Sequence, residues 1–141
     1  MERARFDAYI RRFNAEDDTA FDEFIAPNMR MLNGGLEFSG VEGMKAHYAK
    51  IWAGFREELH VDRFVSDDET LAIRMWTHFT ARHDDPDSLF GPVREGETFD
   101  YRGVILYHLA PDGRFEQIQV AYNSFTHTKR DGTVIEMGIP H

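Results

Sequence analysis

The chain has no cysteine, which excludes disulfides, thiolate metal sites and a cysteine nucleophile together. It has no apolar run approaching the length that spans a bilayer, so no membrane segment is expected. Its 16 Lys and Arg are outnumbered by 25 Asp and Glu, a net charge of -9. The basic residues form no stripe, and a phosphate-tracking protein needs the opposite balance, so nucleic acid is not an expected partner. No glycine-rich phosphate loop and no Ser-His-Asp order stands out. Of the seven histidines, His60, His78, His83, His108 and His127 show no metal-ligand spacing, and the run at 83–87 (HDDPD) reads as a solvated loop before it reads as an acidic metal cluster. Neither a metal nor another cofactor is called for. The opening residues, MERARFDAYIRRF, have the pattern of an amphipathic helix and not of a secretion signal, which leaves the cytoplasm as the default expectation.

What the chain does have is aromatic carbon. Hydrophobic residues make up 42% and aromatic residues 13%, with 12 Phe, enough to fill one core and to line a cavity as well. Phe6, Tyr9, Ile10 and Phe13 recur at helical spacing. Asp17 or Asp18 can cap a short second helix that turns Ala20, Phe21, Phe24 and Ile25 inward and stops at Pro27. Met29 to Leu32 alternate as a strand and run into Asn33-Gly34-Gly35, a turn signal. Ser39 and Glu42 form a capping-box pattern, heading a helix with Met44, Tyr48, Ile51, Trp52 and Phe55 on one stripe.

Strand-like runs follow at 59–66, 70–82, 98–109 and 114–128. The first two join through Asp67-Asp68-Glu69 and the last two through Ala110-Pro111-Asp112-Gly113, where Pro and Gly favour a tight turn. Segment 84–97 reads as a long polar loop, a candidate lid. Residues 129–141 read as a tail that Val134, Ile135, Met137 and Ile139 dock on a surface. No repeat or linker divides residues 1–141, so one domain is expected, its core at about 5–128. Helices followed by antiparallel strands imply an α+β fold, a cone-shaped curved antiparallel sheet wrapped over N-terminal helices.

Strand alternation assigns the faces. Ile73, Met75, Thr77 and Phe79 are expected inside, with Arg74, Trp76, His78 and Thr80 outside, because an unpaired arginine is costly to bury. Ile118, Val120 and Tyr122 should face in. Tyr101, Gly103, Ile105 and Tyr107 should too, unless a bulge near the 110–113 turn exchanges them for Arg102, Val104, Leu106 and His108. The walls would then be Phe13, Phe24, Trp52, Phe55, Met75, Thr77, Phe79, Tyr101 and Tyr122, a lining suited to a hydrophobic, aromatic small molecule.

Four stretches in order, YIRRFNAEDDTAFDEFIAPNM, SGVEGMKAHYAKIW, LAIRM and YRGVILYHLAPDGRFEQIQVAYN, resemble the NTF2-like superfamily. Within it they resemble the SnoaL-like group of polyketide cyclase relatives, over roughly residues 5–125. The resemblance implies a cone enclosing a hydrophobic pocket and a homodimer, or a higher homo-oligomer, formed through the outer sheet face. Tyr9 falls where ketosteroid isomerases carry a tyrosine that donates to a developing enolate, and Tyr48 matches the tyrosine that can hydrogen-bond to it. Asn33 occupies the place of the isomerase base and Ile105 that of its second acid. Val120 or Asn123 stands where cyclases use a late-strand aspartate.

With those acids absent, the expected activity is a cofactor-independent lyase or isomerase step on an aromatic or polyketide-like substrate. Water or a small carbonyl fragment would be eliminated by tyrosine-assisted proton transfer, with Tyr9, Tyr48, Asn33 and Tyr101 as the catalytic set. A non-catalytic binding module and a SnoaL-type aldol cyclase are the alternatives, and Asn33 also reads as a plain turn residue.

Overall fold

A computed structural model describes residues 1–138, so Ile139 lies outside the described residues. Three helices come early: α1 (Arg3–Asn14), α2 (Thr19–Phe24) and α3 (Gly40–Gly54). The strands are β1 (Ile25–Asn33), β2 (Leu36–Ser39), β3 (Phe55–Ser66), β4 (Thr70–Ala81), β5 (Asp85–Ser88), β6 (Gly91–Val93), β7 (Thr98–Leu109), β8 (Phe115–Thr128) and β9 (Val134–Glu136). The main sheet runs β2-β1-β8-β7-β4-β3, with β9 added to β8. All its pairings are antiparallel except β1 with β8, which is parallel.

The helices form where apolar spacing requires it. Phe6, Tyr9, Ile10 and Phe13 of α1 are buried, against a layer that includes the fully buried Phe21, Phe24 and Phe115. Several boundaries differ from the sequence reading. α2 ends at Phe24, before Pro27, because the chain turns into β1 at Ile25. Pro27 lies in the stretch between Ile25 and Arg30 where the β1–β8 register slips, so its missing N–H costs no ladder bond. Ser39 does precede α3, but its side chain makes no capping hydrogen bond. β3 begins at Phe55, four residues earlier than its alternation suggests, because Phe55 starts a strand and does not end the helix.

Inward and outward faces fall as alternation requires. On β4, Leu71, Ile73, Met75, Thr77 and Phe79 are buried while Arg74 and Trp76 face outward. β7 buries Gly103, Ile105, Tyr107 and Leu109. The register does slip near the 110–113 turn, between His108 and Leu109, yet the extra residue falls in β8 and leaves β7 unexchanged. A second slip lies between Arg102 and Gly103, opposite Tyr122 and Ser124. It leaves Asn123 unpaired and bends the sheet.

Gly103 makes that bend possible. A Cβ there would lie 2.2 Å from the Ala121 carbonyl oxygen and 2.5 Å from Tyr122 Cα, backbone atoms that cannot step aside.

The 84–97 segment is not an irregular loop. Its β5–β6 hairpin carries Leu89 and Phe90 at the tip. Phe90 packs against Phe55, Phe99 and Phe125 at 4.9–5.2 Å between ring centres. The base is tied by buried Glu97, which accepts the Arg94 and Arg130 backbone N–H groups and lies 3.2 Å from His127. The tail docks through its backbone: β9 pairs with the end of β8, while Val134 stays 59% exposed. Among the described residues, no helix is long and apolar enough to cross a membrane.

The Gly103→Ala variant is expected to lose ~3 kcal/mol or more of unfolding free energy in urea titration. Wild-type stability in that variant would contradict the close approach.

Candidate active site

Between α3 and the inner face of the sheet lies a cavity of about 310 Å3, closed on one side by the tip of the β5–β6 hairpin. Larger hollows of about 570 Å3 and 640 Å3 lie beside the hairpin base and on the outer sheet face. Charged side chains and exposed strand surface contribute heavily to their walls, so they suit a small hydrophobic ligand poorly. The inner cavity has Leu59, Phe79, Phe90, Ile105 and Phe125 among its apolar walls. Its polar groups are few: Asn33, His47, Tyr48, Glu57, Thr77, Tyr101 and Tyr122.

Glu57 is the group that the sequence reading missed. It lies on β3 between Phe55 and Leu59, and all three face inward. Asn14, at the end of α1, fixes the strand there: its amide accepts from Leu59 N–H at 2.8 Å and donates to Leu59 C=O at 2.9 Å. The Glu57 side chain is 5% exposed. Its Oε2 accepts the Trp52 indole N–H at 3.2 Å, and Oε1 has no protein partner among the described residues. Burial pushes its pKa up to about 8, the Trp52 bond pulls the other way, and the charge of Glu16 adds a smaller upward push. No lysine or arginine lines the cavity to reverse this. The expectation that the site has given up its acid is therefore corrected. The signal was legible as the alternation Phe55–Glu57–Leu59 against Arg56–Glu58, once β3 is allowed to start at Phe55.

Asn33 and Tyr101 are brought together. The Tyr101 hydroxyl donates to Asn33 Oδ1 at 2.9 Å, from strands separated by β8. This bond fixes the amide and leaves both Nδ2 protons without a protein partner among the described residues. Asn33 is thus more than a turn residue before Gly34-Gly35: its partner is the phenol of Tyr101. Burial raises the Tyr101 pKa above the usual phenol value, against the opposing bond to Asn33. A phenol already donating to an amide is a positioning group first.

Tyr48 lies on the wall, and burial followed by the charge of Glu57 holds its phenol well above the usual range. His47 lies on the wall beside it, with Phe38 and Tyr48 against its ring at 4.7 Å and 4.9 Å between centres. Met75, Thr77, Phe79 and Tyr122 are on the wall as expected.

Tyr9, Phe13, Phe24, Trp52 and Phe55 do not line the cavity and form the packed layer around it. Tyr9 is 3% exposed, and burial, then Glu57, raises its pKa. The expected Tyr9–Tyr48 hydrogen bond is absent among the described residues. Phe13 packs against both rings, at 6.2 Å from Tyr9 and edge-on at 5.0 Å from Tyr48. His78 is on the outer face, its Nδ1 2.7 Å from Asp100, which also accepts the Trp76 indole N–H. Among the described residues, no three His, Asp or Glu side chains converge as a metal-ligand set.

The raised Glu57 pKa sets a sign for stability. Below the ordinary glutamate value of 4.5 both folded and unfolded chains hold the proton and the term vanishes. Between 4.5 and about 8 the unfolded chain ionises first, so stability falls with rising pH, by at most ~1.4 kcal/mol per unit. Glu57→Gln lacks this term. Its stability relative to wild type should rise across that window in denaturant titrations, and a pH-independent difference would contradict the buried, unpaired carboxyl.

Residues 6–118 match the family model described as a SnoaL-like domain. No curated protein matches the chain. Among solved structures, the chain is similar to a proposed polyketide cyclase from Xanthomonas campestris pv. campestris, at 21% identity over 84% of this chain and 87% of that one, with a TM-score of 0.71. TsrD from Streptomyces laurentii is 21% identical over 87% and 91%, with a TM-score of 0.68. The epoxide hydrolase/cyclase-like enzyme SalBIII, of pyran ring formation in the polyether salinomycin, is 14% identical over 84% and 87%, with a TM-score of 0.67. At these identities the structures share the fold.

Proposed function

The chain belongs to the SnoaL-like domain family, and we propose that it is a cofactor-independent enzyme of lyase or isomerase type. It moves a proton on a hydrophobic, aromatic or polyketide-like carbonyl compound held in the cone. The observation that carries this reading is Glu57: a carboxyl on the cavity wall, 5% exposed, with one oxygen held by Trp52. A carboxyl whose pKa burial raises to about 8 holds its proton at neutral pH and can still release it, as general acid–base catalysis requires.

The other polar groups suit a developing oxyanion. The Nδ2 protons of Asn33, fixed by Tyr101, and the Tyr48 hydroxyl are donors on a cavity wall that is largely apolar, where such bonds are strongest. Loss of water, loss of a small carbonyl fragment and aldol cyclisation all pass through proton transfer beside a carbonyl. With Glu57 present, abstraction next to a ketone is chemically accessible, and Tyr9 is not needed for it. The similar structures described as a proposed polyketide cyclase and as an epoxide hydrolase/cyclase-like enzyme are consistent with small-molecule chemistry in such a cone. A binding module would need only the apolar walls, and the unpaired carboxyl is what favours an enzyme.

The test is exchange of the methyl protons of 2-acetylnaphthalene in D2O, followed by NMR. The wild type should exchange them above buffer background and Glu57→Gln should lose ~10²-fold or more. Equal exchange in both proteins would overturn the reading, and tight binding without exchange over a panel of neutral aryl ketones would favour the binding module.

For the outer sheet face we propose the homodimer. Trp76, Val104 and Leu106 are 37%, 51% and 43% exposed on neighbouring strands beside Arg74 and Arg102, a mixed apolar and basic face that a second copy would cover. Val104→Glu should shift sedimentation from dimer to monomer, whereas a wild-type monomer would remove the proposal.

A further inference from the structure

His47 has no role in the reading above, yet it stands on the same cavity wall as Glu57. Its ring is held between Phe38 and Tyr48, and neither ring nitrogen has a hydrogen-bond partner among the described residues. Glu57 likewise keeps Oε1 unpartnered. The two arrive from different elements, α3 and β3. Both side chains line one cavity of about 310 Å3, large enough to hold a small ring.

We infer that His47 is the second acid–base residue of this cavity, sharing it with Glu57 so that the imidazole takes a proton from carbon while the carboxyl delivers one to oxygen, and that the ligand they act on is uncharged. The inference rests on the proposed proton-transfer function and adds to it a second residue and a charge selection.

The electrostatics agree with the geometry. Burial and then Lys50 lower the His47 pKa, while burial raises that of Glu57 to about 8. At neutral pH the imidazole is therefore a neutral acceptor and the carboxyl a protonated donor. Facing His47 are Lys50 and Tyr48 from α3, whereas β2 brings only the uncharged Phe38. Facing Glu57 are Tyr9 and Glu16 from α1 and its end, Tyr48 from α3 and Tyr101 from β7. The cavity wall carries no lysine or arginine. A carboxylate ligand would meet no cation there, and an ammonium ligand would hold Glu57 ionised and remove the donor.

With a ketone bound, a His47 nitrogen takes the proton of the carbon beside the carbonyl. The C–H electron pair becomes the C=C bond, and the carbonyl oxygen takes the proton of Glu57. The products are a neutral enol, an imidazolium and a carboxylate. His47 is only partly buried, which gives its proton a route to exchange with solvent.

The experiment is the pH profile of 2-acetylnaphthalene exchange in D2O. The wild type should show two limbs, falling in acid as His47 protonates and in alkali as Glu57 ionises near pH 8. His47→Gln should be slower by about tenfold or more and lose the acid limb, with His47→Asn behaving alike. Wild-type rate and profile in both His47 variants would overturn the inference while leaving the Glu57 reading standing. A Glu57→Gln variant as fast as wild type would overturn both.

For charge selection, calorimetry at pH 9 compares 2-acetylnaphthalene with 2-naphthoate. The carboxylate should bind about tenfold more weakly to wild type, and Glu57→Gln should narrow that gap. Equal binding of the two to wild type would refute the uncharged ligand.

Discussion

A carboxyl group almost wholly withdrawn from water with no cation beside it is an expensive thing for a small domain to keep. Glu57 has one neutral donor, the Trp52 indole N–H at 3.2 Å, and that bond does not offset the loss of hydration. The rest of the site follows from this imbalance. The proton stays on the carboxyl near neutrality, and the surrounding phenols are held above their usual range by burial and by the nearby acid. The arrangement stores acidity in a place where a ligand can reach it.

The fold positions that carboxyl through three local devices. The Asn14 amide locks β3 at Leu59 through two hydrogen bonds, so the inward side chain two residues earlier cannot drift. Gly103 allows β7 and β8 to close on each other at the Asn123 bulge, which brings Tyr101 and Tyr122 within 4.3 Å between ring centres. Tyr101 in turn holds Asn33 across the cavity. Phe90, from the hairpin, covers the lumen and rests on rings that belong to the core. The lid and the core are thus one aromatic surface.

Much of this was legible in the sequence because it is periodic. The helices, the β4 and β7 faces and the tight turn at 110–113 follow from spacing, and the order of elements resembles the family that the chain belongs to. The site was less legible, for reasons that lie in particular residues. Phe55 satisfies the α3 stripe and the β3 alternation equally well, and assigning it to the helix hid Glu57 outside any element. Charged residues also read as surface by default, and the adjacent Glu58 gives Glu57 no signal of its own. Tyr9 was placed correctly on the buried face of α1, but linear spacing cannot reveal that Phe13 packs against both it and Tyr48. Asn33 lay at a turn, and only the fold across β8 joins it to Tyr101.

The central claim is that Glu57 holds its proton through neutral pH. Its direct measurement is 13C NMR titration of protein labelled at the glutamate side-chain carboxyl, with the Glu57 resonance assigned by its loss in Glu57→Gln. The account requires a midpoint near 8, well above the ordinary value of 4.5. A midpoint at the ordinary value would place water or a cation beside the carboxyl, and the proton-transfer chemistry built on it would fall.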